Sequence, residues 1–509
     1  MSKTKKSFYN ILASLLEVIV TQVITLVVSR KVLSVYGSDI NGVNAVFTNT
    51  LVWLMLIEGG FTFASSVALF KAFAKKDLDD VNKILSATKS VLNKIGLYVG
   101  LGGIALAIVA PFFIKTKLSY EVMLYMFLLM AFGAFFGLSY TRKYALMFSV
   151  KQEEYFKIYI SIIISVVINA IIYFVATKEI DYIWVRIIFA IGVVLTGILT
   201  YYIVKKRYPF ISYNEEPDFT AIKGTKDMVF NKFASLVNSS IPLIYIASVV
   251  GASFASVYAV YMIVFGFITK LSMMVANAVQ NGFGQMIAEK TPSEVYQKFK
   301  VFEYILIFMA FLLISISTPL TMPFIKFYTK NVHDVNYVNW DYLYLFTGIS
   351  LVRIIHNPSG ITMLMSGAFK TSKKIQINAL IILILGMIVG GYFWEVTGIL
   401  AAILLSAIVL AVQEIVYTRR HYFKIGFRNL YKILFVFVIT TSAIIYVELF
   451  FISLQLTFFE ILFFAAVLAI INFSIFVIVT FVFFNEFYKE FLVLIKSLIS
   501  INNKNNIKI

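Results

Sequence analysis

The chain has 509 residues, 60% of them hydrophobic and 14% charged, with a net charge of +18. An average soluble domain carries about 25% charged residues, so this composition excludes a soluble enzyme, a fibrous chain and a disordered one. Cysteine is absent, which excludes disulfides, thiolate metal sites and a catalytic thiol.

Lys3, Lys5 and Lys6 precede an apolar stretch running to about Val28. It is too long for the apolar core of a signal peptide, and no small-x-small cleavage site follows, so an uncleaved first span is expected. A membrane helix needs about 20 apolar residues. Apolar runs bounded by charge clusters predict fourteen: 8–29, 42–70, 91–114, 120–148, 156–177, 182–204, 229–250, 254–284, 302–325, 341–369, 375–394, 397–418, 433–451 and 457–484. Of the 44 Lys and Arg residues, 34 fall in the tails and alternate connections of one side and 7 on the other. The positive-inside rule puts the first side, with both termini, in the cytoplasm. The same bias, with anionic lipid headgroups, explains the net charge without nucleic acid.

The longest polar stretch, 205–228, follows the sixth span. The predicted organisation is an all-α polytopic membrane protein: an N-lobe at 1–210 with spans 1–6, a cytoplasmic linker at 211–228, a C-lobe at 229–425 with spans 7–12, and two additional spans with a cytoplasmic tail at 426–509. An internal repeat supports the two six-helix lobes. Asn10, Ala13, Ser14 and Leu15 recur as Asn231, Ala234, Ser235 and Leu236, and Val43, Ala45 and Val46 recur as Val257, Ala259 and Val260. The connection Lys178-Glu179-Ile180 resembles Trp394-Glu395-Val396. Parallel repeats of this kind point to a transporter with a site between the lobes.

The loops on the outer side are short and carry no acidic or His cluster, so catalysis has no support. The three histidines, His333, His356 and His421, lack metal-ligand spacing. There is no G-x-x-x-x-G-K-[ST] loop for a nucleotide. No metal or other cofactor is expected. Short amphipathic helices are predicted at 75–85 and 292–299, and the pairs Gly96/Gly100, Gly133/Gly137 and Gly386/Gly390 read as helix-packing surfaces.

Charges inside spans carry more information, because each costs roughly 2.5–3.5 kcal/mol at a helix centre. Lys270 and Arg353 are deep in their spans, and His356 lies one turn after Arg353. Arg186 is nearer an interface, where it can snorkel. The acids are Glu17, Glu58, Glu414 and Glu448. In the repeat, Glu58 corresponds to Ser272, two residues from Lys270, which suggests a gate or coupling pair formed by Glu58 and Lys270. Pro242, in Asn238-Ser239-Ser240-Ile241-Pro242, marks a helix hinge.

The run Ser29-Arg30-Lys31-Val32-Leu33-Ser34-Val35-Tyr36-Gly37, continuing through Gly42 to Ile57-Glu58-Gly59-Gly60, resembles the opening of Wzx-type polysaccharide flippases of the multidrug/oligosaccharidyl-lipid/polysaccharide (MOP) exporter superfamily. The resemblance extends over nearly the whole chain in span count, lobe repeat and basic charge. It implies a MATE-like fold. It also implies a transporter that moves undecaprenyl-pyrophosphate-linked oligosaccharides across the bacterial plasma membrane for surface polysaccharide assembly. Its partners would be that substrate, membrane lipids and the polysaccharide polymerase machinery. An anionic pyrophosphate calls for basic groups in a hydrated cleft. Lys270, Arg353, Arg30 and Lys31 are then the headgroup candidates, with Glu17, Glu58 and His356 for coupling or gating. Relatives that flip a lipid-linked peptidoglycan precursor carry basic residues in spans 1 and 2, where this chain has Glu17 and Glu58. Relatives with a sodium site carry acids in spans 7 and 12, whereas span 7 here has Asn238. A multidrug or ion antiporter of the same superfamily and a membrane polysaccharide polymerase are the alternatives.

Overall fold

The computed structural model describes residues 3–55, 58–220, 238 and 240–488. Among the described residues every regular element is a helix, and ten helices are long and apolar enough to cross a membrane. They pack as two compact units, residues 1–259 with 331–335, and residues 260–330 with 336–509.

In the first unit, α1 (Lys3–Ile24) passes through a π-helical turn, Thr25–Ser29, into α2 (Arg30–Leu54). The first predicted span therefore runs on without a loop. The chain departs from helical geometry only at Gly37, at φ 82°, where a glycine is needed to hold a left-handed residue inside a helical run. Asp334 secures this corner, accepting from Ser38 N at 2.7 Å and from Ser38 Oγ at 2.5 Å.

The next helices are α3 (Glu58–Lys75) and α4 (Leu78–Val109). Asp77 caps α4 by accepting from Asp80 N, and Asp79 and Asp80 lie in its first turn, where the helix dipole favours acids. No breaker follows, so the short amphipathic helix predicted at 75–85 is instead the start of a 32-residue helix. Its apolar residues Val81, Ile84 and Leu85 are buried against Leu69, Met147, Phe148 and Val204. They belong to a protein core and do not lie on a lipid surface.

α5 (Tyr120–Phe136), a π-helical turn at Gly137–Arg142 and α6 (Lys143–Val150) form one continuous apolar span. α7 (Glu154–Thr177) and α8 (Tyr182–Arg207) complete the set. A Cβ on Gly103 of α4 would come within 2.5 Å of Ala131 Cβ on α5, so these helices meet at small residues.

The turn between α6 and α7 holds Glu153. It accepts from Lys6 Nζ at 2.7 Å, Arg207 Nε at 2.5 Å and the Tyr208 hydroxyl at 2.7 Å. Burial alone would raise the carboxyl's pKa, but these three donors outweigh it and hold the group at about 2. The segment after α8 then runs along α4. Ser212 N donates to Asn82 Oδ1 at 2.8 Å and Glu215 N to Ser86 Oγ at 3.0 Å. The rest of the expected linker and the start of the expected seventh span, residues 221–237, lie outside the described residues. α9 (Ser240–Val249) carries Pro242 in its first turn. α10 (Ala252–Glu289) follows, and the division between the two units falls within it.

In the second unit, α11 (Pro292–Tyr328) begins at a capping box made by Thr291 and Glu294, with Pro292 in its first turn. The amphipathic helix predicted at 292–299 is the start of this 37-residue helix. α12 (Trp340–Ile355) breaks at His356 and resumes as α13 (Asn357–Met365), which has Pro358 in its first turn. α14 (Phe369–Val416) contains the predicted spans 375–394 and 397–418, and its dihedrals leave the helix at Trp394 and Glu395 between them. Gly390 and Gly398 flank that turn, and a Cβ on Gly398 would stand 2.0 Å from the Gly390 carbonyl oxygen. A π-helical turn at Tyr417–Tyr422 leads to α15 (Arg428–Phe451) and α16 (Phe458–Phe483). Leu430, Ile433, Phe437, Thr441, Ile444 and Glu448 form the buried stripe of α15 at helical spacing. Phe437 of that stripe, Phe311 of α11 and Phe476 of α16 share one core.

Glu179 and Glu395, in the connections α7–α8 and within α14, both have a positive φ, at 54° and 48°.

Candidate functional site

The first unit carries an open cavity of ≈ 480 Å³ lined by α3, α6, α7, α8 and the π-helical turn before α6. Its polar wall comprises Glu58, Thr141, Arg142, Lys157, Ser161, Ser165, Asn169 and Thr196. Glu58 opens α3, is 6% exposed, and accepts from Arg142 Nε at 2.8 Å and from the Thr62 hydroxyl one turn on. Arg142 ends the π-helical turn. Such insertions recur at functional positions because the extra residue re-aims the side chains that follow.

Only Nε of Arg142 is engaged among the described residues, which leaves Nη1 and Nη2 free at the cavity wall. Lys157, one turn into α7, is exposed and makes no ion pair among the described residues. The cavity thus carries two cations and one carboxylate, and the carboxylate is already paired.

A second cavity of ≈ 300 Å³ shares Met55, Phe189 and Val193 with the first and contains Arg186. Arg186 does not snorkel. It is 8% exposed, donates from Nε to the Tyr182 hydroxyl at 2.9 Å, and reaches Asn44 Oδ1 through Nη2. These partners are neutral, so its charge adds to the positive character of the unit's interior.

The second unit has its own charged cluster at the α12–α13 break. His356 Nδ1 lies 2.7 Å from Glu414 Oε2 of α14. Gly360 makes room for that carboxylate, since a Cβ there would come within 2.9 Å of Glu414 Oε2. Arg353 is half-buried in the last turn of α12 and Lys270 is exposed on α10. Neither forms an ion pair among the described residues. Nearby, Arg419 Nη2 contacts Glu303 in a fully buried pair, and Arg419 Nη1 donates to the Gly426 carbonyl at 3.0 Å. The Glu303 pair fixes the turn after α14 to α11.

Arg30 and Lys31 begin α2 and are half-buried, as is Glu17 on α1. Glu58 pairs within its own unit, with Arg142. Arg142 and Lys157 lie near the ends of the expected spans 120–148 and 156–177, where charges read as interfacial. The apolar run Tyr144–Val150 after Arg142 is the signal that the helix continues past the charge. No group of three His, Asp or Glu residues that could hold a metal ion occurs among the described residues.

No protein-family model matches the chain, and no curated protein matches it. Solved structures do. The lipid II flippase MurJ in an inward closed conformation superposes with a TM-score of 0.62 at 15% identity, covering 92% of this chain and 98% of that one. A multidrug resistance MATE family transporter of the MOP superfamily, in an inward-facing conformation, gives 0.61 at 12% identity over 83% and 95%. A MOP superfamily transporter from Pyrococcus furiosus gives 0.52 at 11% identity over 87% and 97%. At these identities the likeness is one of fold. The chain has the fold shared by MurJ and the MATE structures.

Proposed function

We propose that the chain is a transporter that flips an anionic lipid-linked oligosaccharide, an undecaprenyl-pyrophosphate saccharide in a bacterial plasma membrane, for surface polysaccharide assembly. In this reading it crosses the membrane fourteen times in two six-helix lobes plus an added pair, with both termini in the cytoplasm. The observation that carries the proposal is the excess of cationic donors over carboxylates in the first unit's cavity. Arg142 and Lys157 line it with a single, paired acid, and Arg186 stands in the adjoining space. A buried cation without an acid partner, as Arg186 is, is costly in a membrane protein and persists where an anion is the intended partner. Arg353 of the second unit, half-buried and without an ion pair among the described residues, fits the same requirement.

The fold supports transport in general, since both flippases and multidrug transporters adopt it. The substrate class rests on charge. Binding by the purified full chain tests it, with a polyprenyl-pyrophosphate oligosaccharide against the same lipid lacking the pyrophosphate. The proposal expects binding of the first and at least a tenfold loss with the second. Equal binding, or tighter binding of a lipophilic cation, would instead assign the chain to the antiporter reading.

A further inference from the structure

Glu448 lies on the buried stripe of α15, one turn from its C-terminal end, and is 8% exposed. Its carboxylate faces the carboxamide of Asn472, which is fully buried on α16. Asn472 Nδ2 donates at 3.1 Å to Ser315 Oγ, which is fully buried on α11. The Ser315 hydroxyl spends its single proton on the Leu312 carbonyl at 2.8 Å, so it accepts from Asn472 and the orientation of the amide is fixed. Three oxygens are then left without a hydrogen-bond partner: Glu448 Oε1, Glu448 Oε2 and Asn472 Oδ1. All three are acceptors.

No cation among the described residues answers them. The helices packed on α15 in this region are α11 and α16. On α16 the titratable group is Glu460, which is exposed and held by Thr457 in a capping box. On α11, Glu303 is paired with Arg419, Tyr304 is hydrogen-bonded to Thr480 and Lys326 forms no ion pair among the described residues. On α15 itself, Lys432 reaches the Phe483 carbonyl at the far end and Tyr446 is exposed. A carboxylate enclosed by neutral groups, with only the Asn472 amide beside it, is expensive in a low-dielectric interior. One proton taken from water removes the charge and turns an acceptor into a donor.

We propose that Glu448, with Asn472 and Ser315, forms a proton-binding site at the junction of α11, α15 and α16, occupied at neutral pH in this conformation. The site is independent of the substrate proposed above. It lies on the added helix pair, outside both charged clusters already described, and it exchanges its proton when α15 and α16 part enough to admit water.

Infrared difference spectroscopy of the full chain in liposomes tests this, comparing wild type with Glu448→Gln at neutral pH in ordinary and heavy water. The expected result is a protonated-carboxyl band in wild type that shifts down in heavy water and is lost in Glu448→Gln. The glutamine mimics the neutral acid, so that variant is expected at wild-type level in the membrane, and its failure to fold would contradict the proposal. In Asn472→Leu the band is expected to remain but to move to higher frequency, as a carboxyl deprived of its amide neighbour does. An unchanged band in Glu448→Gln, or no such band in wild type, would overturn the proposal. So would a carboxylate band at Glu448 that responds to sodium ions, which would make the ligand a metal cation.

Discussion

The Arg142 guanidinium donates through Nε to Glu58 Oε1 at 2.8 Å, linking a π-helical turn in one helix to the first turn of another across the wall of a cavity. The carboxylate is nearly buried while the guanidinium is 41% exposed. The pair therefore neutralises the acid and leaves the outer nitrogens of the arginine available to a ligand.

Removing Arg142 strands the Glu58 carboxylate with the Thr62 hydroxyl alone. Arg142→Ala is expected to lower stability by about 1–3 kcal/mol, the cost of an unsatisfied buried polar group. Glu58→Gln should restore most of it when combined. Thermal unfolding of the four proteins of this double-mutant cycle measures the coupling. Additive effects would mean that the two side chains do not depend on each other.

The Glu153 clasp gives a pH dependence of known sign. The folded carboxyl sits at about 2, below its ordinary value of about 4.5. Its contribution is therefore fully present above about pH 4.5 and is lost as pH falls toward 2. Lys6 and Arg207 are 20% and 38% exposed, so the clasp is partly screened and roughly 2 kcal/mol is expected. Glu153→Gln should flatten the acid limb of a stability–pH curve. An unchanged acid limb would place the acid sensitivity elsewhere.

The turn inside α14 depends on two glycines. A Cβ on Gly398 would stand 2.0 Å from the Gly390 carbonyl oxygen, a backbone atom that has little freedom to retreat. Gly398→Ala is expected to cost about 3 kcal/mol or more and to reduce the amount of folded protein in the membrane. Gly426→Ala, with nothing within 4 Å, serves as the control and should be neutral.

Topology is tested separately. With fourteen crossings, reporters fused after Ile509 should read cytoplasmic and those inserted near Asn336 external. A C-terminus on the external side would mean an odd number of crossings.

Hydropathy read the helices well because the same apolar runs that suit a bilayer also fill the interior of a helical bundle. α7, α8, α15 and α16 fall within a few residues of their expected ranges. The connection at Glu395 was legible through its likeness to Glu179, although the helices on either side close so tightly that the regular structure is nearly unbroken. Charge patterning at the starts of α4 and α11 suggested separate surface helices. It could not reveal that these turns continue without a breaker into the long helices and bury their apolar faces.

The site was less legible. Lys270, Arg353, His356 and Glu58 stand out as charges within apolar runs, but the partners of Glu58 and His356 come from other helices. Glu58 meets Arg142 at a separation of 84 residues and His356 meets Glu414 at 58. A one-dimensional pattern gives the face of a helix and not its neighbour. Arg142 was hidden for a further reason: a charge near a helix end reads as interfacial, and only the π-helical turn aims it at a cavity.

The central claim is that the basic cavity of the first unit accepts the anionic headgroup of a lipid-linked oligosaccharide and carries it across the membrane. The most direct measurement is translocation of a labelled polyprenyl-pyrophosphate oligosaccharide in liposomes containing the full chain. Wild type would be compared with Lys157→Ala, which touches no ion pair of the fold, and with Lys270→Ala and Arg353→Ala. Transfer by wild type is expected, with a loss of about tenfold or more in Lys157→Ala at normal protein levels, since a charge-assisted hydrogen bond is worth about 1.5–3 kcal/mol. Transfer by Lys157→Ala at the wild-type rate, or no transfer by wild type above empty liposomes, would contradict it.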